Sequence, residues 1–285
     1  MSTAPAQKPD NTAERVALWR ALHLEVDAAP PVLADPVGLR LIDPADGWRD
    51  RQDMDPAFTA GFRASIVARA RFIEDLVLAE ADRGAAQYVI LGAGLDTFAQ
   101  RHPEAGAKLT VFELEQPGTQ AWKRRRLEET GYGIPAWLRL VPTNFETGDA
   151  WLTALTAAGF DPARPAVIVS TGVSMYLSKD ANAATLRKVA GLAPGSVLAM
   201  SFLLPAELVA PQDRLGLEIS SKGAAASGTP FVSFFTPDEI LALARESGFA
   251  SAEHVSGPDL ADRYFAGRSD GLRPSTGEDL LVART

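Results

Sequence analysis

Apolar positions along this chain repeat in two rhythms. Over residues 12–28 they fall at helical spacing through Val16, Leu18, Trp19, Leu22, Leu24 and Val26, and the pair Pro30-Pro31 ends the run. This predicts an N-terminal helix outside the main sheet. From Pro36 to Pro56 the chain is rich in Asp, Pro and Gly, after which helical periodicity returns over 57–83 through Phe58, Phe62, Ile66, Phe72, Leu76 and Leu78. Residues 1–83 are therefore expected to form a helical cap or lead-in.

The rhythm then changes. Short runs at 87–91, 109–113, 138–142, 166–170 and 196–203 are apolar almost throughout, without strict alternation, and helical patterns separate them. Strands buried on both faces have this character. The stretch 205–230 breaks the pattern with Pro205, Pro211 and the Ser/Gly/Ala-rich tract Ser220 to Pro230, and is expected to be an insertion or mobile loop. Thr236 to Glu239 restarts a helix, with Thr236 as N-cap and Pro237 in the first turn. Two further strand-like runs, 250–255 and 279–284, bring the count to seven. The expected fold is α/β: a Rossmann-like, doubly wound, mostly parallel seven-stranded sheet over 84–285, with N-terminal helices and a lid inserted at about 205–235.

Composition narrows the function classes. With 285 residues, 46% of them hydrophobic, the chain can bury the core of one α/β domain plus appendages. A formal charge of -8 argues against a nucleic acid as main partner, because that binding depends on Lys and Arg displacing counterions. Cysteine is absent, so thiolate catalysis, disulfides and cysteine metal sites are excluded. His23, His102 and His254 have no metal-ligand spacing, and no metal is expected. No apolar stretch reaches the length needed to cross a bilayer, and a cytoplasmic protein without membrane partner is the expectation.

The chemistry concentrates after the first predicted strand, in Leu91-Gly92-Ala93-Gly94-Leu95-Asp96-Thr97. A strand turning sharply into a helix needs residues without bulk where a ligand approaches the backbone, and Gly92 and Gly94 meet that need around Ala93. A dinucleotide fingerprint wants a third small residue where Thr97 stands. Asp96, a carboxylate in the turn, disfavours phosphates and suits a ligand carrying an amino or sulfonium cation, as S-adenosylmethionine does. The second strand ends in Glu113-Leu114-Glu115, where an acid can accept hydrogen bonds from ribose hydroxyls; Glu115 is the better placed of the two.

Three strings together, YVILGAGLDT over 88–97, FELEQP over 112–117 with Lys123 behind it, and STGVSMYL over 170–177, resemble the leucine carboxyl methyltransferase family, class I S-adenosylmethionine-dependent enzymes. The likeness runs from about Arg69 to Phe249. It implies that Arg69 pairs with the methionine carboxylate of the cofactor, that Gly92 and Gly94 form the backbone turn, that Glu115 holds the ribose, and that Asn144 and Phe145 lie beside the adenine. The family more usually has Asp where Asn144 stands, and Glu where Thr171 stands. The second departure removes an expected partner of the cofactor's amino group, which Asp96 or a backbone carbonyl would have to replace.

Other residues admit more than one role. Tyr176, just past the fourth strand, is the candidate catalytic contact, or else a half-buried aromatic at a strand end. The run Lys123 to Arg126 is expected to be a solvated helix face, and Phe231 to Phe235 to divide between a pocket wall and the core. The expected activity is O-methylation of a small molecule at a carboxylate or other acidic oxygen, since an ionised acceptor needs no general base and no His–acid pair is evident. Two rival readings remain. A nicotinamide-dependent oxidoreductase shares the turn and the acid, but Tyr176 is followed four residues on by Asp180 rather than Lys. A non-catalytic binder of S-adenosylmethionine or S-adenosylhomocysteine is kept open by Thr171.

Overall fold

The computed structural model describes residues 11–144 and 150–285. Among them, seven strands form one sheet: β1 Gln87–Leu91, β2 Thr110–Glu115, β3 Leu138–Pro142, β4 Ala166–Ser170, β5 Val197–Leu203, β6 Ser251–Val255 and β7 Glu278–Arg284. Their order is β3-β2-β1-β4-β5-β7-β6. β1 to β5 run parallel, and β7 enters antiparallel between β5 and β6. The chain moves outward from β1 through β2 to β3 and then returns to lay β4 against the other side of β1. That reversal opens a crevice at the carboxyl ends of β1 and β4, where doubly wound sheets bind ligands.

The helices are α1 Asn11–Val26, α2 Val37–Ile42, α3 Ala60–Asp82, α4 Phe98–Arg101, α5 Pro117–Glu129, α6 Ala150–Ala157, α7 Lys179–Ala190, α8 Arg214–Ala226, α9 Pro237–Glu246 and α10 Gly257–Tyr264. Both sheet faces are covered, so β1, β4 and β5 are buried at every position. Alternate residues serve opposite cores. Tyr88, Ile90, Val111, Val167 and Val169 pack with Val67, Phe72 and Val77 of α3, whereas Val89, Phe112, Leu114, Ile168 and Leu198 pack with Leu155, Leu186 and Ile240 from α6, α7 and α9. A third cluster joins Leu18 and Leu22 of α1 to Trp48, Met54, Leu95 and Trp122. The N-terminal segment is thereby fastened to the loop after β1.

The stretch 205–230, expected to be an insertion or mobile loop, is mostly helix: α8 occupies residues 214–226. Its Ala224 to Ala226 favour helix, and Lys222 donates to Glu218 one turn back at 2.6 Å. Gly216 is there for proximity, since a Cβ would stand 3.0 Å from Cζ of Phe62. Thr236 caps α9 as expected. Its hydroxyl accepts from the Glu239 amide at 3.2 Å, and the Glu239 carboxylate accepts from the Thr236 amide at 2.9 Å. Thr236→Ala is expected to cost about 1 kcal/mol in urea denaturation; an unchanged midpoint would mean that packing of Ile240 alone sets α9.

Candidate active site

β1 ends at Leu91, and the backbone reverses through Gly92 at φ +73° and Gly94 at φ +49°. Both conformations lie in the left-handed region that glycine tolerates. At Gly92 space is limiting as well: a Cβ would lie 2.5 Å from Cγ2 of Val173 on the far side of the crevice. The amides of Gly92 and Ala93 both donate to the Leu114 carbonyl at 3.0 Å, which pins the turn to β2. The Gly94 amide donates to Glu115 Oε2 at 2.7 Å, and the Gln116 amide to Oε1 at 2.8 Å. Two backbone donors thus fix the Glu115 carboxylate beside the turn. Asp96 accepts from the Phe98 amide at 2.8 Å, starting α4.

The turn is also held from the N-terminal segment. Arg20 of α1 donates to the Leu95 carbonyl at 2.6 Å and lies 2.9 Å from Asp35, which is fully buried. Asp35 accepts from the Thr97 hydroxyl at 2.8 Å and from the amides of Val37 and Gly38. Burial opposes ionisation of Asp35, yet Arg20, Arg101 and these hydrogen bonds hold it below the usual carboxylate range. Thr97, where a dinucleotide site would have a small residue, therefore anchors the N-terminal segment to the turn. Neither Arg20 nor Asp35 was legible locally, because the partners of Arg20 are 75 and 15 positions away and no periodicity marks them.

The crevice is a cavity of about 590 Å³. It is lined at the β1 end by Gly92, Ala93, Gly94, Asp96 and Glu115, and at the β4 end by Thr171, Gly172 and Arg69. The Arg69 guanidinium from α3 lies 2.5 Å from Glu278 Oε1 at the start of β7. It also covers Gly172, whose added Cβ would stand 3.6 Å from Nη2. Farther out the wall turns aromatic and apolar, with Trp19, Phe58, Phe62, Tyr176, Leu215 and Phe231. Trp19 stacks on Phe62 with centroids 5.4 Å apart, and Tyr176 meets Phe231 at 5.5 Å. Phe235, by contrast, is buried in the core, so the aromatic run at 231–235 divides between the two.

Glu113 is not part of this wall. Two positions earlier on β2 than Glu115, it is 1% exposed and lies 2.5 Å from Nζ of Lys123, itself 1% exposed. Burial is the main influence on Glu113 and raises its pKa to about 7, with Lys123 acting against it. Lys123 accordingly departs from the solvated face expected of the run 123–126: of the α5 basic residues it is the one turned inward. Asn144 follows β3 and accepts from the Gln116 side chain at 3.3 Å, which joins it to the segment carrying Glu115, though it is not a lining residue of the cavity. Phe145 lies outside the described residues.

The histidines serve other places. His23 Nε2 accepts from the Val32 amide at 3.0 Å, which leaves Nδ1 to donate to Asp27 at 2.8 Å. His102 lies 3.2 Å from Glu74, and His254 lies 2.8 Å from Asp279. None of the three lines the cavity. Among the described residues no cluster of His, Asp and Glu suits a metal, and no helix is long and apolar enough to cross a membrane.

The sequence model of the leucine carboxyl methyltransferase family matches residues 13–190. It takes in the N-terminal helices, which the motif strings alone did not reach, and stops at the end of α7. YktD of Bacillus subtilis (strain 168), a candidate S-adenosyl-L-methionine-dependent methyltransferase, is 37% identical over 207 residues, 72% of this chain and 67% of the relative. A candidate enzyme of the same description from Mycobacterium sp. (strain KMS) is 38% identical over 155 residues, 52% of this chain and 49%, about half, of the relative. Among solved structures, a candidate methyltransferase from Thermobifida fusca YX shares the fold with TM-score 0.63 at 20% identity, covering 98% of this chain and 95% of that one.

Proposed function

Since the chain belongs to the leucine carboxyl methyltransferase family and is an S-adenosylmethionine-dependent methyltransferase, we propose that it methylates a carboxylate or other acidic oxygen on a small molecule with a flat, apolar body. The observation that carries this reading is that one cavity is lined both by the glycine turn with Glu115 and by the aromatic wall of Trp19, Phe62, Tyr176 and Phe231. Family membership removes the nicotinamide-dependent reading.

The residues fit the cofactor. A side chain at Gly92 would meet Val173, so the turn presents bare backbone, and the carboxylates of Asp96 and Glu115 in its wall disfavour polyphosphate and favour a sulfonium cation. Glu115 would hold the ribose hydroxyls and Arg69 the methionine carboxylate, while Asn144, behind the cavity wall, would act on the adenine side through Gln116. When bound, S-adenosylmethionine supplies an electrophilic methyl group. The protein's own task is then alignment and exclusion of water, which suits a site built from packed side chains and backbone rather than from an acid–base pair. Tyr176 and Phe231 would orient the acceptor's flat body, and α1 and α8, whose residues line the outer wall, would close over it. The three histidines stand elsewhere, and an acceptor already ionised near neutral pH needs none of them.

The test is transfer of labelled methyl from S-adenosylmethionine to a panel of aryl and alkyl carboxylic acids and phenols, with Glu115→Ala as control. Turnover on an acid is expected, and Glu115→Ala should weaken S-adenosylhomocysteine binding by ~10-fold or more, as loss of charge-assisted hydrogen bonds does. Tight S-adenosylhomocysteine binding without turnover on any acceptor would instead favour a non-catalytic binder.

A further inference from the structure

We propose that Glu278 is the carboxylate that receives the cofactor's amino group, so that Arg69 and Glu278 together clamp the zwitterionic amino-acid end of S-adenosylmethionine. The inference rests on the cofactor reading above and goes beyond it, because Glu278 lies outside the stretch the family match covers.

The order of the strands sets the direction in which the cofactor lies. Glu115 on β2 marks the ribose side, the glycine turn follows at β1, and the next strand across the crevice is β4, then β5 with β7 against it. A ligand whose ribose sits on Glu115 and whose sulfur passes the turn carries its amino-acid end toward β4 and β7. The carboxylate expected at the end of β4 is absent, since that position holds the neutral Thr171. In its neighbourhood stands Glu278, brought there because β7 runs antiparallel and its first residue pairs with Leu203 at the carboxyl end of β5. Arg69 spans the two places, lying against Gly172 and 2.5 Å from Glu278.

The other acids of the wall have different engagements. Asp96 accepts from the amide that starts α4, Glu115 is fixed by two amides on the ribose side, and Asp213 accepts from the amide and hydroxyl of Thr276. Charge balance favours the pair over a lone arginine. Arg69 and Glu278 are 12% and 16% exposed; a zwitterion entering between them exchanges one ion pair for two and leaves no buried charge without a counterpart. Arg69 alone would satisfy the ligand's carboxylate and strand its ammonium.

A binding cycle tests this without any turnover. Affinities of the wild type and Glu278→Gln are measured by calorimetry for S-adenosylhomocysteine and for its desamino analogue, which keeps the carboxylate. The wild type is expected to prefer the amino compound by ~10-fold or more, and Glu278→Gln to lose most of that preference while binding the desamino analogue nearly as the wild type does. If Glu278 merely positions Arg69, the variant weakens both ligands alike and keeps the preference, which overturns the proposal; so does a wild type without preference. A wild type that binds neither compound would instead overturn the cofactor reading itself.

Discussion

Gly92→Val is expected to lower S-adenosylhomocysteine affinity by ~100-fold or more, a larger loss than removal of the Glu115 carboxylate would cause. Two independent costs meet at this position. The backbone stands at φ +73°, where a β-branched residue is strained by roughly 1–3 kcal/mol. The new Cβ would also lie 2.5 Å from Val173 Cγ2. The turn cannot slide aside, because the Gly92 and Ala93 amides share the Leu114 carbonyl and the Gly94 amide is held by Glu115. Strain therefore passes into the wall of the cavity. Relief by a second change identifies the cause: Gly92→Ala should be partly rescued by Val173→Ala. A double variant as weak as Gly92→Ala would show that φ strain alone is responsible, and full affinity in Gly92→Val would remove the turn from the site.

Lys123→Met is expected to destabilise the fold by about 3–5 kcal/mol at pH 8, because it leaves the Glu113 carboxylate buried without its cation. The deficit should shrink toward pH 5. In the folded protein burial raises Glu113 from the ordinary 4.5 to about 7. The fold thus favours the protonated form; that contribution is fully present below about pH 4.5 and is lost as pH rises through 7. Without Lys123 to offset it, ionisation becomes costlier still, so the difference from wild type grows with pH. Urea denaturation of both proteins at pH 5 and pH 8 reads this directly. A deficit independent of pH would mean that the lost lysine stem, not the stranded charge, matters.

Sequence made the sheet legible where burial on both faces writes continuous apolar runs: 87–91 and 166–170 coincide with β1 and β4, and the half-exposed edge run 138–142 coincides with β3. It misled where composition stood in for geometry. The Ser/Gly/Ala tract Ser220 to Pro230 looks like a loop, but its residues 220–226 are the last turns of α8. Lys123 belongs to a basic run, yet a helix turns one residue of such a run inward, and a strand partner decides whether it finds a charge there. Glu113 and Glu115 share a face of β2, two residues and about 6–7 Å apart, and only the strand end reaches the crevice. Arg20 and Glu278 were invisible for another reason. Their partners Leu95 and Arg69 lie 75 and 209 residues away, distances at which no local spacing carries information.

The position of β7 between β5 and β6 bears on how the chain is made. A ribosome delivers α1, the glycine turn and β1 to β5 long before residues 278–284, so the nascent sheet waits with the margin of β5 bare and adhesive toward other chains. Until that final strand slots in, Arg69 has no Glu278 beside it. A premature stop upstream of residue 278 would therefore yield an aggregating fragment rather than a sluggish enzyme.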